Sequence, residues 1–464
     1  MSVSELDKLL GMEVYATKTS GIGGTIKTTA DDFIVEELLV DGSKASITGD
    51  VPNKALGSTS ISTPTPTPTT TAQRQRYLLC SLVKRNWDTF TAIKNLAKAL
   101  NITQAQIQFA GIKDAKALTA QHLTIENIHP ENLTQLELKD AQIHPIGYIR
   151  EMLSLFYLLG NNFTITIKNL TTPPTEVKEQ IEQTTQELTL IGGIPNFFGH
   201  QRFGTTRPIT HLVGKALLEG KIEEAALTFL ANPSPHEHPQ SRQSRQELQE
   251  TNNFKQAAQT FPKQLRYEKL MLNHLAENPQ DFTGAFQRLP PKLQALFVQA
   301  HQSYLFNRFL SARINHDLPL NIAQEGDFVV NIERTGLPLT TAEKIVTPQN
   351  INQINEALKA GKMRVALPLW GFKQKLSSGI MGEIEQTILK QEGLEPENLQ
   401  SNPLSRISGR GSLRTTTTPL KNFTQKNNPN PDSITLSFML LRGSYATVYL
   451  RELMKPINPL NAGF

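Results

Sequence analysis

A lysine–aspartate pair, Lys113–Asp114, follows a bend between two segments that have the pattern of β-strands. Residues 107–110 are mostly apolar, Gly111 permits the bend, and residues 117–125 alternate apolar and polar side chains. A carboxylate on a turn between strands is held rigidly yet stays exposed, which suits nucleophilic or general-base chemistry. Composition and spacing alone favour the plainer interpretation, a solvated surface turn.

The surrounding residues resemble a known catalytic signature. Residues 110–114 read Ala-Gly-Ile-Lys-Asp, and with Ala117, Thr119 and Gln121 they resemble the signature of the TruD family of tRNA pseudouridine synthases. In that family the aspartate of the Gly-x-Lys-Asp segment is essential for catalysis. The resemblance therefore implies that Asp114 is the catalytic residue. Three further segments resemble the same family and follow its order along the chain.

The first of these segments begins at a glycine cluster, residues 21–24, and continues to Glu37. No helix pattern follows the glycines, so they predict a tight turn rather than a phosphate-binding loop. The resemblance places the family's active-site lysine at Lys27. Pairing with Asp114 would keep that carboxylate ionised and oriented. Ala30 stands where the family usually has proline.

The second segment, residues 194–204, resembles the family motif Asn-Tyr/Phe-Phe-Gly-x-Gln-Arg-Phe-Gly almost letter for letter. A base taken out of its stack needs an aromatic face and an amide that bonds its edge. Phe198 is predicted to supply the face and Asn196 the polar contact or a scaffold. Arg202 is predicted to meet phosphate or to brace a carboxylate. The alternative is an aromatic cluster in the core, which is the interpretation preferred for Phe203.

The third segment, residues 436–455, has a strand pattern that reaches Gly443 and a helix pattern after Ser444. It resembles the family's C-terminal signature, with Leu441 in place of the usual proline. Tyr445 matches the family's active-site aromatic residue. It is predicted to stack on the target base or to shield the reacting sugar.

The resemblance implies an isomerase that converts uridine in tRNA to pseudouridine, at the family's usual position 13 in the D-arm. Asp114 would attack the ribose carbon or remove a sugar proton, and the sequence does not choose between these. The reaction needs no metal, redox group or nucleotide cofactor. Two alternatives stay open: a non-catalytic RNA-binding or RNA-chaperone module on the same scaffold, and a pseudouridine synthase that acts on other RNA sites.

The elements that must position these residues indicate an α+β fold. Residues 1–221 and 404–464 are expected to form one catalytic domain with a mainly antiparallel mixed sheet flanked by helices. Residues 222–403 have mostly helical apolar spacing, with short strands, and resemble the family's α/β insertion domain. Residues 41–76, with a Thr/Pro-rich core at 58–71, are expected to be a flexible insertion in the catalytic domain.

Composition limits the remaining choices. The chain has 464 residues, a net charge of +5 and one cysteine, Cys80. One cysteine excludes an intramolecular disulfide and suits a reducing cytoplasm. The pattern shows no signal peptide and no apolar run long enough for a membrane span. His236 and His238 are two residues apart among prolines and do not predict a metal site. Arginines between residues 404 and 426 favour either an RNA-phosphate contact or a solvated loop.

Overall fold

The structure is a computed structural model that describes residues 2–48, 76–134, 136–394 and 409–464. The Thr/Pro-rich segment expected to be a flexible loop lies outside the described residues. The strands are β1 (Gly23–Thr25), β2 (Phe33–Leu39), β3 (Tyr77–Arg85), β4 (Ile107–Phe109), β5 (Leu118–Glu126), β6 (Ala141–Ile149), β7 (Leu158–Leu170), β8 (Ile194–Pro195), β9 (Phe328–Ile332), β10 (Pro338–Ile345), β11 (Met363–Leu369), β12 (Ser412–Thr415), β13 (Thr417–Thr418), β14 (Lys421–Asn427) and β15 (Ser433–Leu441).

The helices include short single turns and one of 25 residues. They are α1 (Glu5–Leu9), α2 (Thr89–Ala99), α3 (Glu131–Thr134), α4 (Pro174–Leu190), α5 (Thr210–Leu218), α6 (Ile222–Ala231), α7 (Pro239–Thr251), α8 (Phe254–Thr260), α9 (Arg266–Glu277), α10 (Phe282–Gln287), α11 (Pro291–Asn315), α12 (Ile351–Lys359), α13 (Gly379–Gln391) and α14 (Ala446–Met454).

The main sheet has the order β14-β15-β7-β2-β5-β3-β6, with β1 added to β7 and β4 added to β5. Within the described residues β2 and β5 form its one parallel pair, and the other pairs are antiparallel. Strand β2 alternates buried and half-buried positions over its whole length, as a strand with one face on a core does. The α+β fold with a mainly antiparallel mixed sheet is confirmed.

Segments from the two ends of the chain meet on this sheet. Strand β15 lies between β14 and β7, and its Leu440 stands opposite Asn161 of β7. Next to the sheet, the buried carboxylate of Asp7 lies 3.0 Å from the Arg451 guanidinium and 2.8 Å from the His200 ring. The catalytic scaffold is therefore closed by contacts between residues more than 400 positions apart.

A second region is mostly helical, as its apolar spacing predicts. Helices α5 to α11 enclose a core of their own, and the long helix α11 also contributes to the main core. A four-stranded sheet, β10-β9-β11-β12, adjoins them. Because α5 packs in the helical core and β12 pairs with β11, both predicted domain limits fall where the two regions are in contact. The boundaries at 221/222 and 403/404 stay a prediction.

Two local features differ from the patterns. Gly24 has a φ of +92° and lies in β1, where the sequence predicts only a turn. A Cβ there would come within 2.9 Å of the Lys168 main-chain oxygen, so the close approach of β7 requires glycine. The apolar spacing of residues 136–143 predicts a strand, but β6 begins only at Ala141, because Asp140 has a φ of +54° that a strand does not continue through.

Candidate active site

The loop between β4 and β5, residues 110–117, presents Asp114. Gln121 Nε2 donates to the Gly111 main-chain oxygen at 3.2 Å. The Lys113 main-chain N–H donates to Thr89 Oγ1 at 3.0 Å, and that hydroxyl donates to Gln121 Oε1 at 3.2 Å. Thr89 is the first residue of α2, and the Asp88 side chain caps that helix. A helix and a strand thus fix the path of the loop before Asp114.

Lys84, on β3, fixes the loop at Asp114 itself. Its side chain is fully buried, and Nζ donates to the main-chain oxygens of Trp87 and Asp114 at 2.6 and 2.8 Å. Burial lowers the pKa of Lys84 to about 8, although the nearby carboxylates of Asp114 and Asp88 oppose that shift. Because the Lys84 ammonium group donates hydrogen bonds to two carbonyl oxygens of the loop, it holds the loop in position. Its signals in the sequence are a lysine near the end of an apolar strand and the Lys-x-x-x-Asp-Thr pattern of residues 84–89, which resembles a segment of the family.

Beneath the loop lies a buried group of charges. Lys113 Nζ is 2.6 Å from Glu37 Oε1, and Glu37 Oε2 accepts the His122 main-chain N–H at 2.7 Å. The His122 ring Nδ1 lies 3.2 Å from the same oxygen. Burial opposes ionisation of Glu37, but the charge of Lys113 and the contacts of His122 together lower its pKa. The lysine of the Lys–Asp pair therefore points into the protein, and the aspartate points out.

The Asp114 carboxylate meets Lys27. Lys27 Nζ lies 3.4 Å from Asp114 Oδ1, and the two side chains are 10% and 31% exposed. The same ammonium group lies 4.5 Å from the centre of the Phe33 ring. Lys27 has a φ of +56°, a left-handed conformation that is uncommon outside glycine and asparagine. Such conformations cluster at functional sites, where the surrounding structure imposes them.

Asp114 and Lys27 line one cleft with Tyr445, which immediately precedes α14. The cleft has a volume of about 720 Å³. Its other walls come from β2, β7, the 201–206 segment and the C-terminal residues 460–464. Lys116 also lines it, so cationic groups flank the carboxylate on a surface open to an anionic polymer.

Asn196, Phe198 and Arg202 lie behind Tyr445 and are not among the residues that line the cleft. The buried Phe198 ring is edge-on to Tyr445, with 6.1 Å between ring centres. Asn196 Nδ2 donates to the Thr415 main-chain oxygen at 3.1 Å. Arg202 Nε donates to Ser303 Oγ at 3.0 Å, and burial lowers the pKa of this guanidinium. These three side chains do not touch the open space. They lie behind Tyr445, which we call the aromatic wall of the cleft, and support it.

Arg414 joins this support. Its guanidinium lies 4.0 Å from the Phe198 ring centre and donates to Asn196 Oδ1 at 2.7 Å. It also donates to the Gly443 main-chain oxygen at 2.9 Å, which places the turn that carries Tyr445. Of the arginines between residues 404 and 426 considered as RNA contacts, this one faces inward, and Arg406 lies outside the described residues.

Comparison with known proteins decides the family. A family model described as tRNA pseudouridine synthase D (TruD) matches residues 9–453. The chain belongs to the TruD family. A relative from Methanosarcina mazei named "Probable tRNA pseudouridine synthase D" is 37% identical over 464 residues and aligns over 99% of both chains. A relative of the same name from Pyrococcus abyssi is 36% identical over 95% of this chain and 98% of its own.

A solved structure agrees with the family. The crystal structure of tRNA pseudouridine synthase D from M. mazei superposes with a TM-score of 0.80 at 37% identity, covering 99% of this chain and 100% of that one. TruD proteins are tRNA pseudouridine synthases, which are isomerases with tRNA as substrate. The predicted family and enzyme class are confirmed.

Several residues of the TruD cleft escape sequence reasoning. Asn161 and Phe163 line it from β7, and Gln201 and Thr447 line it beside Tyr445. Gln201 Oε1 accepts from Thr447 Oγ1 at 3.2 Å, which ties the second family segment to the third. Gln201 and Thr447 lie within the second and third family segments, and that position in a matched motif is the signal that could have found them.

Neither a membrane helix nor a metal cluster is present among the described residues. No helix in that part of the chain is long and apolar enough to cross a membrane. No group of three or more His, Cys, Asp or Glu side chains gathers there in a way that could hold a metal ion.

Proposed function

We propose that this TruD protein isomerises uridine 13 in the D-arm of tRNA, with Asp114 as the catalytic residue. The observation that carries the proposal is the convergence of Asp114, Lys27 and Tyr445 on one cleft from three distant parts of the chain. A tRNA-modifying enzyme acts where its substrate is, so the proposed location is the cytoplasm.

Isomerisation breaks the N1–C1′ bond of uridine, turns the uracil while it is held, and joins C5 to C1′. N1 then carries a proton and C5 releases one. An ionised Asp114 would attack C1′ or take a sugar proton to form a glycal. Lys27 Nζ, at 3.4 Å from Asp114 Oδ1, would orient the carboxylate by hydrogen bonding and by its opposite charge.

The aromatic wall has a separate task. Tyr445 would cover the detached uracil and exclude water while the base turns. Phe198 would act through Tyr445, because its buried ring packs against that side chain. Asn196 and Arg202 would hold the wall in place through their contacts with Thr415 and Ser303.

The test is tritium release from tRNA labelled at C5 of uridine, since the displaced C5 hydrogen reports each turnover. We expect Asp114→Asn to abolish release and to leave tRNA binding intact, because the substitution keeps the shape of the side chain. The matched control is Asp31→Asn, which alters an exposed carboxylate paired with Arg85 at 2.6 Å. Equal release by the native protein and Asp114→Asn would disprove the catalytic assignment.

Mapping of the modified position completes the test. Pseudouridine at position 13 in tRNA from cells that have the gene, and its loss without the gene, is the expected result. Modification at another site would show that the target is a different uridine. Binding of tRNA without any modification would show that the protein is a non-catalytic RNA-binding module.

A further inference from the structure

A second groove lies next to the cleft. It has a volume of about 430 Å³. His236 and Leu460 line both spaces, so the groove is adjacent to the cleft. Residues from α1, from the 207–212 segment, from the 232–236 loop and from the 457–460 turn form its sides.

The groove is apolar although it is open to solvent. Ile457 is 97% exposed and Leu9 is 45% exposed, and both line it. Pro208, Pro233, Pro235 and Pro459 add flat ring faces. Single exposed apolar side chains are ordinary, but a group of them gathered in one groove indicates an interaction site.

One cation is built into the wall. Arg207 donates to the main-chain oxygens of Phe229 and Asn232 at 2.8 and 3.2 Å. Within the described residues no carboxylate lies within ion-pair distance of it. Burial lowers the pKa of Arg207 to about 10, so the guanidinium is charged at neutral pH.

This chemistry suits a nucleobase more than a phosphate chain. A base has apolar faces that stack on flat rings and on guanidinium planes. A phosphate run would need several free cations, whereas the groove also contains the acidic side chain of Glu5. Turning a uridine out of its stack also leaves the neighbouring base without a stacking partner on that side.

We propose that this groove binds the unstacked base of a nucleotide next to the target uridine in the substrate tRNA. The proposal rests on the proposed function, because it takes the cleft as the position of the target. The groove acts on substrate affinity and leaves the chemistry at Asp114 unchanged.

The experiment compares Ile457→Glu and Leu9→Glu with the native protein in steady-state pseudouridine formation on tRNA. Both side chains are exposed, so the substitutions do not disturb the core. We expect KM to rise about tenfold with kcat unchanged, since glutamate removes the apolar face and repels the RNA. The control, Leu190→Glu, places the same charge on a 72% exposed leucine at the end of α4 and is expected to leave both constants unchanged.

A second measurement identifies the occupant. tRNA that carries 4-thiouridine next to the target is irradiated with the protein, and the crosslinked peptide is sequenced. We expect the crosslink at residues 207–212 or 457–459, which line the groove and not the cleft. Unchanged KM in both variants, or a crosslink elsewhere, overturns the proposal. A change in the sedimenting mass of Ile457→Glu with unchanged KM also overturns it and assigns the groove to a second copy of the chain.

The two proposals fail in different ways. If the native protein forms no pseudouridine, the proposed function fails. The groove can then still be tested by measuring the dissociation constant for tRNA, in place of KM, for the native protein and the same variants. A tenfold weaker Kd for Ile457→Glu but not for Leu190→Glu would still support the groove as a nucleobase site.

Discussion

Replacing Lys84 with methionine tests whether the active-site loop depends on one buried cation. Lys84 Nζ donates to the main-chain oxygens of Trp87 and Asp114 at 2.6 and 2.8 Å. Methionine fills a similar volume but cannot donate, so both oxygens lose their partner. A buried oxygen without a donor costs about 1–3 kcal/mol, so the two together cost about 2–6 kcal/mol.

An opposing effect limits this loss of stability. Burial lowers the pKa of Lys84 from 10.5 to about 8. At neutral pH the charged folded state is therefore disfavoured by about 3 kcal/mol, because one pKa unit corresponds to about 1.4 kcal/mol. Methionine removes that penalty. We expect the variant to fold, with a net loss of at most about 3 kcal/mol in the free energy of unfolding.

Activity should respond more strongly than stability. A shift of about 1 Å in a reacting group can lower a rate about 100-fold, and the Asp114 backbone loses its anchor. We therefore expect Lys84→Met to lower the single-turnover rate of tritium release about 100-fold, with an unchanged Kd for tRNA. The control is Lys98→Met on the exposed face of α2, which should behave as the native protein does.

The pH dependence of the free energy of unfolding distinguishes the loss of the buried Lys84 charge from a general loss of stability. Between pH 8 and 10.5 the unfolded chain binds a proton at Lys84 that the folded chain has released. The free energy of unfolding of the native protein should therefore rise with pH in this window, relative to that of Lys84→Met. A folded variant with the native rate would refute the reasoning, and a flat difference between the two curves would refute the buried charge.

Three further outcomes are expected. Glu37→Gln leaves the buried Lys113 ammonium group without the negative charge that pairs with it at 2.6 Å, so the free energy of unfolding in urea should fall by about 3–5 kcal/mol; an unchanged midpoint would contradict this. Cys80 is fully buried and burial raises the pKa of its thiol, so it should resist Ellman's reagent in the native protein and react fully in guanidinium; rapid native labelling would be the contrary result. Burial raises the pKa of Glu385 to about 8, so the folded chain holds a proton that the unfolded chain releases between pH 4.5 and 8, and stability falls as pH rises through that window. Glu385→Gln should remove that fall in thermal unfolding at pH 6 and pH 8.5, and an equal fall in both proteins would be evidence against it.

The sequence predicts those parts of the site that depend on local pattern. The Asp114 turn is predictable because a mostly apolar strand precedes it and a strand of alternating polarity follows it. The resemblance of two other segments to the family also predicts that Lys27 and Tyr445 lie near Asp114. All three residues line the cleft. Helix α2 is of the same local kind, because it depends on apolar residues at helical spacing and on a polar residue before its first turn.

Properties that depend on tertiary contacts are not readable in this way. An aromatic residue that faces a base and one that supports it from behind have the same side chain, so Phe198 is predicted at the cleft and lies beneath Tyr445. The burial of Lys84 and of Glu37 depends on neighbours that pair only in the folded sheet. The place of β15 between β14 and β7 likewise follows from pairing across hundreds of residues.

That place of β15 has a consequence for synthesis on the ribosome. Until β15 and α14 have emerged, β7 lacks one of its neighbours in the sheet and the cleft lacks Tyr445. The nascent polypeptide can carry a complete Asp114 loop and still possess no enclosed space for a nucleotide. The cleft can therefore form only after β15 and α14 have been made, so its assembly depends on segments that are synthesised far apart in time.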